Sequence, residues 1–219
     1  MNFFNLHTHS VTQSDNQIAL VNQYPQEFDA TIPTYSIGIH PWYVNVDRVA
    51  SDLACIEEKI QEQNCLAVGE CGLDKRADTI FELQQEVFEK QLLLAQKYGK
   101  PVILHCVAAF QEIIETKERL KITVPLIFHG FSKSAQLAKQ LIDSGCYLSF
   151  GKYLLKNPDL ESVFQSVPSN RFFLETDTME ETIEAVYEIA AKYSGVSVEE
   201  IKIVIRDNCK AVFKIDLSN

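Results

Sequence analysis

Short apolar runs alternate along the chain with longer runs whose apolar residues recur at helical spacing. A short run rich in β-branched and aromatic residues suits a strand, and a 3.6-residue period suits an amphipathic helix. The short runs predict strands at about 3–9 (FFNLHTH), 17–22 (QIALVN), 34–40 (TYSIGIH), 65–70 (CLAVGE), 101–106 (PVILHC), 125–129 (PLIFH), 146–151 (CYLSFG) and 171–176 (RFFLET). The longer runs predict helices at about 47–64, 79–98, 108–120, 132–144, 158–166, 179–193 and 197–213. In the first of these, Ala50, Leu53, Ala54, Ile56 and Ile60 fall near helical spacing. Gly99 and Gly145 follow two of the helices, where a residue free to turn left-handed ends the helix readily. Ser132 and Ser197 are the expected N-caps, and Glu200, three residues after Ser197, completes a capping box.

Eight strands with helices between most of them predict an α/β fold, the parallel TIM (β/α)8 barrel. The links at about 10–16 and 23–33 are too short or too irregular for full helices, since a parallel crossover usually takes a dozen or more residues. The first two outer helices are therefore expected to be reduced or missing. That would leave one flank thinly covered, a candidate surface for self-association. No Pro/Gly/Ser-rich linker or internal repeat interrupts the pattern, so residues 1–219 are expected to form a single domain.

Composition changes this picture little: 46% hydrophobic and 23% charged residues over 219 are ordinary for a globular chain. Charge changes it more. A net charge of −10 makes a poor non-specific binder of polyphosphates, which weighs against a processive nuclease and leaves phosphate chemistry open. The start, MNFFNLHTHS, lacks the basic flank and long apolar stretch of a signal peptide, and no run reaches the roughly 18 apolar residues of a membrane span. A cytoplasmic protein is expected. The cysteines at 55, 65, 71, 106, 146 and 209 show no CxxC pairing and are expected as reduced thiols, mostly in the core.

The candidate chemistry begins with NLHTHS at 5–10. On a strand, His7 and His9 point to the same face, which suits one cation between two nitrogens; two hydrogen-bonded structural histidines are the alternative. The chain has five histidines, His7, His9, His40, His105 and His129. Each lies at or near the C-terminal end of a predicted strand, the face on which barrel active sites are built. Glu70 at the end of the fourth strand and Asp177 after the eighth add oxygen donors, although either alone would also serve as a turn or N-cap carboxylate. This mixed nitrogen and oxygen set fits one or two divalent ions, with zinc, manganese, iron or nickel better suited than magnesium. Cys71 and Cys106 adjoin candidate ligands, but neighbours on a strand face opposite ways.

In order along the chain, His7-Thr8-His9, GIHP at 38–41, VGECGLD at 68–74, PVILHC at 101–106, IFHGFS at 127–132 and LETD at 174–177 resemble the TatD-like family of metal-dependent hydrolases. These are deoxyribonuclease-type members of the amidohydrolase-like barrels. DNCKAVF, with Asn208 and Phe213, resembles the family's closing helix. The resemblance implies that His7, His9 and Asp177 hold one metal, that Glu70 is shared between two, and that His105 and His129 complete the second site. It implies Asp177 and Glu70 as catalytic residues, with Asp177 positioning or deprotonating the attacking water. It further implies hydrolysis of a phosphoester, with DNA ends as a candidate substrate. His40 is a candidate donor to a substrate phosphate, or packs beside Pro41 and Trp42. Lys75 and Arg76 are candidates to face an anionic substrate, or form a solvated pair.

The chain departs from the family where substrate is contacted. Cys106-Val107 stand where relatives carry Ser-Arg, Lys75 stands where an aromatic usually follows GLD, and Thr178 leads almost directly into the next predicted helix. NLHTHS followed by Ser14-Asp15 also resembles the start of PHP-type phosphoesterases, but no histidine follows His129. Two further readings keep the metal site: hydrolysis of a small-molecule ester, lactone or amide, and a non-catalytic metal-binding interaction protein. Glu70 stands against the amide and lactone reading, because such barrels often use a lysine at strand four.

Overall fold

Each apolar run becomes a strand in the computed structural model, which describes residues 2–11 and 16–215. The strands are β1 (Phe3–Thr8), β2 (Gln17–Gln23), β3 (Tyr35–Ile37), β4 (Cys65–Asp74), β5 (Val102–Val107), β6 (Leu126–Phe128), β7 (Tyr147–Phe150) and β8 (Phe172–Leu174). They follow one another in chain order within one sheet. The pairings of β2 with β3, β3 with β4, β4 with β5 and β7 with β8 are parallel. The chain returns to β1 after β8: Thr8 forms a parallel bridge with Asp177, whose amide donates to the His7 carbonyl at 2.9 Å. This succession is that of a (β/α)8 barrel.

The helices are α1 (Val49–Lys59), α2 (Phe81–Tyr98), α3 (Phe110–Arg119), α4 (Ala135–Asp143), α5 (Lys152–Lys156), α6 (Leu160–Ser166), α7 (Ile183–Ser194) and α8 (Val198–Phe213). Only a 3-10 turn at Pro25–Glu27 lies between β2 and β3, as the short link requires. Among the described residues between β1 and β2 there is no helix; Ser14-Asp15 lies outside them. No helix among the described residues is long and apolar enough to cross a membrane.

Several boundaries differ from the sequence expectation. α4 is capped by Ser134, whose hydroxyl accepts from the Leu137 amide at 3.3 Å, and not by Ser132. α7 begins at Ile183, so Thr178 leads into irregular backbone and not into a helix. α5 has five residues, too few to show a period. β4 continues past Glu70 to Asp74, with a shift of register between Val68 and Cys71. The apolar run breaks at Gly69 and Gly72 because β5 comes close there. A Cβ on Gly72 would stand 1.9 Å from the His105 carbonyl oxygen, and its φ of 148° is one that few side chains adopt.

Two compact units are distinguished, residues 1–20 with 128–219, and residues 21–127. In the first, Phe4, Phe173 and Phe213 form an aromatic core with ring centroids 5.6–6.3 Å apart. The buried Tyr187 hydroxyl donates to the Phe4 carbonyl at 2.9 Å and accepts from its amide at 3.1 Å, tying α7 to β1. In the second, α2 covers β4, and two buried glutamines replace ladder partners at the strand ends. Gln91 accepts from the Ile39 amide at 2.7 Å and donates to its carbonyl at 3.2 Å. Gln84 does the same for Asp74, at 2.9 and 3.0 Å. Buried backbone groups need such partners, and here they fix the segments that carry the candidate site.

Candidate metal centre

In the first unit, alternation along β1 points His7 and the following His9 to one side, with ring centroids 5.1 Å apart. His7 is fully buried and His9 partly open. The bridge to Thr8 brings Asp177 to the same place: its Oδ1 lies 3.6 Å from His7 Nε2 and 3.5 Å from His9 Nε2. Asp177 has a φ of 51°, a left-handed conformation uncommon outside glycine and less costly for aspartate than for most residues. Its side chain is 32% exposed, open enough to meet water. His129, just past β6, places its ring 4.6 Å from that of His7. One donor atom from each of His7, His129 and Asp177 lies within 4.8 Å of the others.

Behind His129 stands Glu175. It is buried, its Oε1 accepts from the Gly130 amide at 2.7 Å, and the same oxygen lies 3.3 Å from His129 Nδ1. Burial pushes this carboxyl up, yet His129, His7 and Ser149 together hold it below its ordinary value. An ionised carboxylate only accepts, so Nδ1 of His129 is the donor in this pair.

The second unit gathers its own set. Glu70, buried within β4, places Oε1 2.9 Å from His105 Nδ1 and 3.3 Å from His40 Nε2. The Glu70 amide donates to the Asn22 side chain, which fixes the strand where its register shifts. Asp74 closes the arrangement. Its Oδ2 lies 3.1 Å from His105 Nε2 and accepts from the Trp42 indole N–H at 2.7 Å, while Oδ1 accepts from the Arg76 amide at 2.8 Å. Burial raises the Asp74 carboxyl, and the Trp42, Arg76 and His105 bonds more than offset that, leaving it below its ordinary value.

His105 thus stands between two carboxylates, with Nδ1 2.9 Å from Glu70 Oε1 and Nε2 3.1 Å from Asp74 Oδ2. Donors about 2.1 Å from one ion stand roughly 3 Å apart, so Nδ1 and Oε1 fit neighbouring positions around a single cation. The donor atoms of His40, Glu70 and His105 lie within 4.8 Å of one another. His40 differs from the other two. It precedes the 3-10 turn Pro41–Tyr43, and its Nδ1 accepts from the Trp42 amide at 3.2 Å. Nε2 must then carry the proton, so His40 donates toward Glu70 and offers no lone pair there. The donor chemistry in both units fits a divalent ion: imidazole lone pairs beside a carboxylate, two of the imidazoles held by buried carboxylates.

The structure brings His7, His9, His129 and Asp177 together in one unit, and His40, Glu70 and His105 in the other. Lys75 is engaged on the surface, paired with Glu112 and lying 5.6 Å over the Phe81 ring. Arg76 is exposed and lines a cleft of about 540 Å3 with Trp42 and Asp74. Cys71 is buried, and burial pushes its thiol up, so it supplies no thiolate. Sequence reasoning missed Asp74, Glu175, Asn22 and Trp42. The first two left a signal: each is a carboxylate in an apolar strand-end motif, and a buried carboxylate needs a partner.

The model of the family described as TatD related DNase matches residues 2–214. An uncharacterized metal-dependent hydrolase of Bacillus subtilis, YabD, is 31% identical over 198 residues, 83% of this chain and 77% of that protein. The 3'-5' ssDNA/RNA exonuclease TatD of Edwardsiella piscicida is 30% identical over 173 residues, 77% of this chain and 64% of that one. The crystal structure of YjjV, a TatD homolog from Escherichia coli, superposes with a TM-score of 0.83 at 21% identity, covering 97% of this chain and 98% of the other, a likeness of fold. With a family model matched along almost the whole sequence and relatives that are metal-dependent hydrolases, this chain belongs to the TatD family of metal-dependent hydrolases.

Proposed function

We propose that the protein hydrolyses phosphoester bonds at the ends of single-stranded nucleic acid, with one or two divalent ions bound. The observation that carries this reading is a carboxylate beside imidazole in each unit, Asp177 with His7 and His129 and Glu70 with His105, backed by Glu175 in one unit and Asp74 in the other. The relative named as a 3'-5' ssDNA/RNA exonuclease supports the choice of substrate class. In this reading His7, His9, His129 and Asp177 hold metal in the first unit, and Glu70 and His105 in the second. A divalent ion so bound supplies Lewis-acid polarisation of a phosphoryl oxygen and a more acidic water.

The chain's own residues do the rest. Asp177, partly open to solvent, orients the attacking water and accepts its proton. Glu175 and Asp74 keep His129 and His105 in the tautomers that present a lone pair. His40 directs Nε2–H at Glu70 and keeps that carboxylate turned toward His105. Arg76 offers a guanidinium to a substrate phosphate, and the Glu112 partner of Lys75 leaves Lys75 the lesser candidate.

Metal analysis of protein purified without chelator, followed by a panel of single-stranded DNA, RNA, phosphomonoester, phosphodiester and lactone substrates, tests this reading. Metal together with release of nucleotides from strand ends is expected. Turnover of the lactone alone would move the chain to the small-molecule reading, and a metal-replete protein inert on the whole panel would leave the non-catalytic one. Asp177→Asn is expected to lower kcat by about a thousandfold or more, with the urea midpoint nearly unchanged. Wild-type kcat in that variant would remove Asp177 from the chemistry.

A further inference from the structure

We propose that Trp42 is the platform on which a base of the substrate stacks, so that it sets a preference for base-bearing phosphoesters over bare phosphate chains. The inference rests on the phosphoester reading of the donor sets and adds to it a residue that reads the substrate.

Trp42 is the one tryptophan in the chain, and the residue is 55% exposed. Exposure alone would mean little for a single large apolar residue. Here it is combined with fixation at both ends. The Trp42 amide donates to His40 Nδ1 at 3.2 Å, and the indole N–H donates to Asp74 Oδ2 at 2.7 Å. The His40 and His105 rings meet the indole at 78° and 72°, with centroids at 4.8 and 5.7 Å. These are edge contacts and not parallel stacks. An indole so held has already lost the rotamer freedom that a mobile side chain would lose on binding.

The surroundings say what such a ring would meet. Trp42 lines two clefts of the same unit. One, of about 390 Å3, is shared with Tyr24, Tyr43, Glu27 and Arg48. The other, of about 540 Å3, is shared with Asp74, Arg76, Asp78 and Thr79. Both volumes lie in the range of small-ligand sites. Each cleft carries an arginine, but the two are not equivalent. Arg48 donates to the Tyr43 carbonyl at 3.2 Å and lies 3.7 Å from Asp52, whereas Arg76 is exposed at the cleft rim. Asp74 is already engaged by Trp42, His105 and the Arg76 amide, which leaves Asp78 as the opposing charge in the larger cleft. A flat ring beside a guanidinium, next to imidazole and carboxylate donors, suits a planar base with its phosphate chain. Base–aromatic stacking tolerates any base, because every base has a π-face.

Because Trp42 is the sole indole, fluorescence of the metal-replete protein excited beyond the tyrosine absorption band reports on this position alone. The probes are a cleavage-resistant phosphorothioate tetrathymidylate and an abasic tetramer with the same number of phosphates. Saturable quenching by the base-bearing tetramer and none by the abasic one is expected. By calorimetry, Trp42→Ala should bind the base-bearing tetramer about tenfold more weakly or worse, with the abasic tetramer changed less than about twofold. Trp42→Tyr keeps a ring and should recover affinity to within about threefold, which separates stacking from loss of the Asp74 bond. Equal binding of both tetramers, or equal losses for both in Trp42→Ala, would overturn the role given to Trp42. If base-bearing and abasic strands were also cleaved at equal rates, the proposed hydrolysis would stand without it. Binding of neither tetramer, with turnover of a small ester, would remove both.

Discussion

Two buried carboxylates, Glu175 and Asp74, stand within hydrogen-bond reach of the candidate imidazoles His129 and His105. In each, burial pushes the carboxyl up and contacts with its neighbours more than offset that, holding it below its ordinary value. For Glu175 the folded pKa lies below the unfolded one, so its contribution to stability is present above the unfolded value, around pH 4.3, and is lost as pH falls below that and through the lowered folded value. Glu175→Gln leaves the shape in place but cannot hold the His129 proton as a carboxylate does. In chelator-treated protein at pH 7 it is expected to lower stability by about 1–3 kcal/mol in urea unfolding. The gap between wild type and variant should narrow as the pH approaches 4. A gap of equal size at both pH values would mean that Glu175 is not ionised in the folded chain.

At the scale of elements, legibility follows the physics of each segment. The eight strands were readable because parallel strands bury both faces and read as apolar runs. The candidate histidines at 7, 9, 105 and 129 were readable because those runs end in them or just before them. The extent of β4 was not: GECGLD breaks the apolar pattern where close approach to β5 demands Gly72 and where Glu70 and Asp74 enter the strand. Glu175 and Asp74 were quoted in motifs without a role, since only the fold shows which imidazole each one faces. The apolar run predicts His40 as the last residue of the third strand, yet the Pro41 turn takes it out of β3 and uses its Nδ1 as a cap. Gly72→Ala is expected to cost about 3 kcal/mol or more, read as loss of soluble protein or a large drop in melting temperature, because backbone has to move to admit the Cβ. The capping box of α8 is a milder case. The Ser197 hydroxyl accepts from the Glu200 amide at 3.2 Å, and the Ser197 amide donates to the Glu200 carboxylate at 2.8 Å. Ser197→Ala should cost about 1 kcal/mol with little effect on turnover. A large loss of activity would point to α8 as more than a packed helix.

For the whole molecule the governing number is a net charge of −10, from 20 basic and 30 acidic residues. A protein that grips nucleic acid through a broad basic surface releases many counterions, and its affinity falls by about 10³–10⁵ between roughly 50 and 200 mM salt. This chain has no such excess of cations. In the unit that holds Trp42, the clefts beside it carry Arg76 and Arg48, the latter already engaged by Asp52 and the Tyr43 carbonyl, so two phosphate contacts are the upper limit there. Two phosphate contacts on a single strand give a log–log slope of about 1.4, or about a sevenfold loss over the same salt range. The affinity of the phosphorothioate tetramer, measured across that range with metal held constant, should therefore fall by about tenfold at most. A loss of a hundredfold or more would mean that further cations reach the strand. A small loss would mean that recognition rests on donor chemistry and stacking, forces that salt screens weakly, and that an acidic enzyme can act on a polyanion by holding only its end.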